Sequence, residues 1–474
     1  MRILFSSLLI ASLTRAARAA SVSLDEYRDH YDPAPAAAVE FEDATGVGGG
    51  SGEEERNLSG SKGDKGGKGG KAHKASKHVG LEDGFVDLSE DFERDETALA
   101  QPLIGRLPVR DNSFLRAALV LENGKIVGKY VRADVNVDDP RAVHSTTKGL
   151  ISLAIGKLIA EGRLHGVPLR LDMSLEEIFP LNFLDLLDPT TDFRKRVTVS
   201  RSFQKQPLSL FFISVSSRGQ IRELLTMTSG LRGDLSTPPG DSLPEALYSP
   251  IVHEDSAKKE YSYLMDNNIL SYVIYAITCS KDLWHCKRPI QYFAGSILPS
   301  LGVTGIGSCP AGSWNVAHEN WSDYGNTDAC SDGEFAWFTN EEGFEGATSG
   351  MTMTVNVMAK LGQLYLQGGK SAPGPGGEQV VPESWIDQTW TPHVKPPTIV
   401  GDNAGGFFWY QLDKDTWFSY GLGGQIIAVN RRLNRVVAMQ SDLVGEEEPS
   451  QPSIAVIRDI MELTFQLSPY SFDN

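Results

Sequence analysis

Residues 141–164 read RAVHSTTKGLISLAIGKLIAEGRL. A Ser-Thr-Thr-Lys group opens a run dominated by Leu150, Ile151, Leu153, Ile155, Leu158 and Ile159, and Glu161-Gly162 closes it. Apolar side chains fall on every face of that run, the pattern of a helix buried on all sides. The spacing predicts a helix from Ser145 to about residue 161, with its polar mouth at the N-terminal end. Residues three apart share a helix face, so Ser145 and Lys148 are expected side by side.

That pairing has a chemical use. A seryl oxygen is a poor nucleophile until a neighbouring base takes its proton. Lysine serves only when neutral, which costs an ordinary lysine roughly 4.6 kcal/mol at neutral pH, at about 1.36 per pKa unit. Burial and the positive end of a helix both disfavour the ammonium form. The same helix terminus offers backbone N–H groups for an oxyanion. The alternative is that Ser145 caps the helix, a common place for serine. Ser59-x-x-Lys62 and Ser256-x-x-Lys259 repeat the spacing. One lies in a glycine tether and the other in a charged loop, so neither has a helix to present it.

The 474 residues carry a formal charge of -17 and are 41% hydrophobic. A sizeable core is therefore within reach. The acidic balance argues against nucleic-acid binding, which needs concentrated Lys and Arg. The start, MRILFSSLLIASLTRAARAAS, reads as a secretory signal over residues 1–20. A membrane anchor and a mitochondrial presequence are the alternatives; the apolar run is short for a span. Residues 21–100 are expected to be flexible. Their stretch from Thr45 to Gly80 is rich in Gly and Lys and almost free of large apolar side chains, and a solvated tether is preferred over an acidic-surface contact. Order is expected from about Leu103, with one domain over 101–474.

Four cysteines fit an oxidising compartment. Proximity favours Cys279–Cys286 and Cys309–Cys330 over a zinc site with His285. Asn57 and Asn320 head glycosylation sequons. The nine histidines show no metal-binding pairing, and no cofactor motif appears. Strands are expected on both sides of Asn123-Gly124, a hairpin signal, and at FFWYQL, FSYGLGGQIIAV and RVVAMQSD. PSIAVIRDIMELTFQL is expected as a closing helix. This order suggests a single discontinuous α/β domain with a helical insertion.

Together, HSTTKGLISLAIGKLIAEGRLHGVPLRLDMSLEEIFP, IRELLTMTSGLRGD and GLGGQIIAVNRRLNRVVAM resemble the serine β-lactamase-related hydrolases: class C β-lactamases, DD-peptidases and related esterases and amide hydrolases. The resemblance implies the α/β, β-lactamase/transpeptidase-like fold, an antiparallel sheet flanked by helices with a helical subdomain, with Ser145 as nucleophile and Lys148 as its base. It implies a tyrosine relay, Tyr263 or, one register away, Tyr261. It implies a groove strand at Ser419-Tyr420-Gly421, with Ser419, Gly421, Leu422 and Gly423 binding substrate and the Leu422 N–H joining that of Ser145 as the oxyanion hole.

Three positions depart from the pattern. Met227 stands where a histidine is usual, Ser419 replaces the usual Lys or His, and Met265 (or Tyr263) stands where Asn is expected. The last two changes weaken the expectation of β-lactamase or DD-peptidase activity. They favour a secreted esterase or amidase on a small, less charged substrate. A non-catalytic binding or assembly module is the further alternative. Oligomeric state is open.

Overall fold

The computed structural model describes residues 85–99, 114–164, 167–178, 220–229, 261, 266–279, 286–314, 330–340, 343–374, 377–395, 403–405 and 407–442. The chain forms two units, Met1–Val79 and Gly80–Asn474; all the described residues belong to the second. The expected signal segment, Asn57, Tyr263, Met265, His285, Asn320 and the expected closing helix lie outside them.

Two strands open the main sheet, β1 (Leu115–Glu122) and β2 (Lys125–Val131). Glu122 pairs with Lys125 across a two-residue loop. Asn123 and Gly124 both have positive φ, 49° and 74°, as a twist-matched hairpin turn requires. Next come β3 (Arg141–Ala142) and α1 (Thr146–Glu161). A small ribbon follows, β4 (Arg163–Leu164) with β5 (Val167–Pro168). Helices α2 (Ile221–Leu225), α3 (Ile269–Thr278) and α4 (Pro289–Ser296) lie in the described middle region. Then come β6 (Phe335–Trp337), β7 (Met351–Met353), α5 (Val355–Leu366) and α6 (Glu383–Thr389). The C-terminal part supplies β8 (Pro392–Val394), β9 (Asn403–Gly405), β10 (Tyr410–Gln411), β11 (Thr416–Gly421), β12 (Gln425–Asn430) and β13 (Arg435–Ser441).

The eight-stranded sheet has the order β2-β1-β13-β12-β11-β10-β9-β8, and every pairing in it is antiparallel. The first and last described strands of that sheet, β1 and β13, thus pair side by side. A second sheet, β3-β7-β6, carries the strand that leads into α1. Alternation along the central strands sends Ala117, Leu119, Ile427, Val429, Val436 and Ala438 towards α1 and α5 in the main core. It sends Ala118, Val120, Ile426, Ala428, Val437 and Met439 to a second cluster. Strand side chains alternate between faces, so these are the two sides of one sheet.

Helix α1 is buried from Thr146 through Leu158, as its all-round apolar sequence requires. Two glycines let neighbours come close. A Cβ on Gly156 would lie 2.5 Å from the Trp385 ring, and one on Gly149 would lie 2.7 Å from Oγ of Ser419.

Two expectations need correction. Packing begins before Leu103: Leu88 and Phe92 are buried in the main core. The Leu88 N–H donates to Ser371 at 2.8 Å, and residues 93–95 bond with Ile126. Two apolar residues among charged ones leave little periodic signal, yet they are anchored by distant chain. FFWYQL, for its part, is strand only at Tyr410–Gln411, because Phe407 and Phe408 turn through left-handed φ of 80° and 62°.

Candidate active site

The segment from Arg141 to Lys148 carries the candidate nucleophile. Strand β3 pairs with β7, and the Val143 N–H extends that contact by donating to Met351 at 2.9 Å. His144 then takes a left-handed φ of 47°, uncommon for a residue with a Cβ. This turns the chain so that Ser145 sits at the mouth of α1, partly exposed, while every residue of the next three turns is buried.

Ser145 occupies the cap position, but its side chain makes no capping bond to the helix backbone. Instead, Nζ of Lys148 lies 3.0 Å from its Oγ. Lys148 is 1% exposed. Its amine also donates to the carbonyl of Thr348 at 3.0 Å and lies 5.3 Å from the centre of the Phe408 ring. Thr348 is itself fixed, donating its N–H to Oδ1 of Asn268 at 2.9 Å. Asn268 stands at the head of α3, so it orients the lysine's acceptor rather than capping its own helix. Nothing in the sequence pairs Asn268 or Thr348 with Lys148 until the chain is folded.

Below the lysine, the carbonyl of Gly149 accepts from Ser152 Oγ at 2.6 Å and from the Tyr365 hydroxyl at 2.8 Å. Burial pushes the Tyr365 phenol far above its usual range. It therefore stays protonated and serves as a donor.

The groove strand comes to the same place. Ser419 is fully buried, with Oγ 3.5 Å from the carbonyl of Thr146 in the first turn of α1. It faces the first turn of α1. Gly421 has a reason for being glycine that the sequence reading missed. A Cβ there would lie 2.1 Å from the carbonyl of Val143, so the close approach is to the protein's own backbone. Gly423 and Gly424, at φ 80° and 92°, build the turn between β11 and β12. That turn closes with the Gly424 N–H donating to Gly421 at 3.0 Å. Both glycines answer to backbone geometry. Leu422 follows Gly421 directly and so lies beside the Val143–Ser145 segment.

Of the two candidate tyrosines, Tyr261 is described. Its hydroxyl is 3.0 Å from that of Tyr410. Met227 is buried against the second cluster, with a left-handed φ of 53°. The cysteines form the pairs expected from proximity, with S–S distances of 2.07 Å for Cys279–Cys286 and 2.03 Å for Cys309–Cys330. All four sulfurs are thus engaged, and no thiolate is left for the zinc alternative. Cys309 and Cys330 pack on Trp314, Phe338 and Ala142, directly behind β3. Among the described residues, no group of His, Cys, Asp and Glu could hold a metal ion, and no helix is long and apolar enough to cross a membrane.

The fold is similar to that of solved structures. The chain is similar to EstCE1, a hydrolase with promiscuous acyltransferase activity, at 13% identity over 78% of this chain and 99% of that one, with a TM-score of 0.50. It is also similar to a penicillin-binding protein homolog from Caulobacter crescentus, at 13% identity over 80% and 99% of the two chains, TM-score 0.47. An octameric penicillin-binding protein homologue from Pyrococcus abyssi matches at 15% identity over 75% of each chain, TM-score 0.42. Comparison with curated protein sequences finds no match. The β-lactamase family model matches residues 116–461, most of the chain and every element of the site. With the sheet order, the Ser145–Lys148 pair and that match in agreement, the chain belongs to the β-lactamase family.

Proposed function

We propose that the protein is a secreted serine hydrolase that cleaves a small ester or amide through an acyl-enzyme on Ser145. The observation that carries this reading is the 3.0 Å approach of Lys148 Nζ to Ser145 Oγ, with the amine buried and the hydroxyl partly exposed. In the proposed reaction Ser145 Oγ attacks the substrate carbonyl and its proton passes to neutral Lys148. The tetrahedral oxyanion is held by the N–H groups of Ser145 and Leu422. Tyr263 passes a proton to the leaving group, and Tyr261 is the alternative relay. Water then attacks the acyl carbonyl, and the acid departs as Ser145 regains its proton.

The proposed reaction takes Lys148 as the neutral base, a role supported by its burial beside the Ser145 hydroxyl. Ser419 offers no positive charge to a substrate carboxylate, which supports neutral esters and amides over penicillin-like substrates. The two disulfides support an oxidising, extracellular location.

The test is a chain-length series of p-nitrophenyl esters and anilides, with nitrocefin alongside. Turnover of short esters with little or none of nitrocefin is expected. Nitrocefin hydrolysis exceeding that of every ester would overturn the substrate assignment. A folded protein inert to the whole panel would leave the fold serving as a binding module.

A further inference from the structure

Strands β12 and β13 lie beside the segment that carries Ser145 and hold it at two points, through the side chain of Asp442 just after β13 and the backbone carbonyl of Gln425 at the start of β12. At its start, Nη2 of Arg141 donates to Oδ1 of Asp442 at 3.0 Å. At its finish, Oγ1 of Thr146 donates to the carbonyl of Gln425 at 3.0 Å. The two grips are joined. Nε2 of Gln425 donates to the carbonyl of Ser441 at 2.6 Å, and the Ser441 N–H returns a bond to Oε1 of Gln425 at 3.3 Å. Ser441 is covalently followed by Asp442. The result is a closed ring of contacts running Arg141, Asp442, Ser441, Gln425, Thr146, and back along the chain through His144 and Ser145.

Asp442 is held from more than one side. Arg132 donates to its Oδ2 at 2.8 Å, and Arg116 donates to both of its oxygens at 3.2 and 3.3 Å. Its own N–H donates to Phe114 at 2.8 Å. All four charged side chains are between 14% and 23% exposed. Such contacts are screened less than surface pairs, and they tie β1, the end of β2 and β3 to one carboxylate. The enclosed segment needs such a fixture, since His144 sits at φ 47°. A residue with a Cβ stays in that region only when its surroundings over-determine it.

We infer that Asp442 and Gln425 are positioning residues, a two-point clamp that holds the turn at His144 and so aims the Ser145 hydroxyl. This inference rests on the proposed serine-hydrolase reading. Neither side chain needs to touch substrate. A nucleophile displaced by about an ångström loses on the order of a hundredfold in rate, so a loosened clamp is read in rate, with binding unchanged.

The test uses the whole chain and compares wild type with Asp442→Asn, Gln425→Met and Thr146→Val. Each is measured for second-order labelling by a fluorophosphonate and for kcat and KM on a short p-nitrophenyl ester. Circular dichroism at the assay temperature confirms folding, and rates are taken per folded molecule. The clamp predicts at least a tenfold loss in labelling rate and kcat for Asp442→Asn, Gln425→Met and Thr146→Val, with KM within about twofold. Combining Asp442→Asn with Gln425→Met should cost little more than the worse single change, since members of one unit do not add. Should Asp442→Asn fail to fold, Gln425→Met and Thr146→Val still decide the matter, because neither removes a charge. Folded variants that label at the wild-type rate overturn the clamp, leaving only a stabilising role. Wild type that takes no label at Ser145 overturns the hydrolase reading itself, a distinguishable result.

Discussion

At the scale of single residues, Lys148 holds the most chemistry per atom. It is a buried amine with a hydroxyl at 3.0 Å and a carbonyl at 3.0 Å. Lys148→Met keeps the apolar stem and removes the base. It should lower kcat on an activated ester by about 10²–10⁴, the usual worth of a positioned acid or base, while thermal stability holds or rises because a costly buried polar group is gone. Lys148→Arg should not rescue the rate, since a guanidinium does not lose its proton in proteins. Steady-state kinetics beside a melting curve check both. This pair was legible in the sequence because i, i+3 spacing and an apolar helix suffice to join the two side chains. The groups that hold the lysine were not. Asn268 and Thr348 lie more than a hundred residues away and become its neighbours only through tertiary packing.

Among the elements, α1 and the β11–β12 hairpin meet at a contact with no spare room. Gly421 lies under the carbonyl of Val143, and an added Cβ would sit 2.1 Å from that oxygen. The atom in the way is backbone, so it cannot rotate aside. Gly421→Ala should cost about 1–3 kcal/mol, as overpacking does, and should slow acylation of Ser145 because Val143 lies two residues before it. Chemical denaturation and labelling rate measure the two effects separately. The reverse case is the Asn123-Gly124 turn, where a two-residue signal specifies the hairpin locally and needs no distant partner. Strand identity at FFWYQL fared worse. Its composition favours a strand, but Phe407 and Phe408 adopt left-handed backbone, and the Phe407 N–H donates to Leu225 at 2.9 Å. A long-range contact there overrides local preference.

At the scale of the whole molecule, Glu345 contributes a dependence of stability on pH. Glu345 has a fully buried side chain whose pKa burial pushes up to about 7; Arg288, at 3.6 Å and 40% exposed, only partly opposes that. Between about pH 4.5 and 7 the folded protein therefore holds a proton that the unfolded chain has released. The contribution of Glu345 to stability falls as pH rises through that window and is fullest below it. The shift corresponds to on the order of 3 kcal/mol at about 1.36 per unit. Glu345→Gln should raise the melting temperature at pH 7.5, leave it nearly unchanged at pH 4.5 and flatten the slope between. An unchanged slope would mean that Glu345 is ionised when folded. No periodicity marks this glutamate in the sequence, where it reads as one more acidic loop residue. The chain-wide architecture was far more legible, because alternating strands and an all-apolar helix are properties of composition along the chain. The early packing of Leu88 and Phe92 was not, since its partners are remote.

The measurement that bears most directly on the account is intact-mass analysis after fluorophosphonate treatment, with the adduct mapped by peptide sequencing. The account predicts one adduct on wild type, located at Ser145, and none on folded Ser145→Ala. Equal labelling of the two proteins, or an adduct on any other residue, would contradict it.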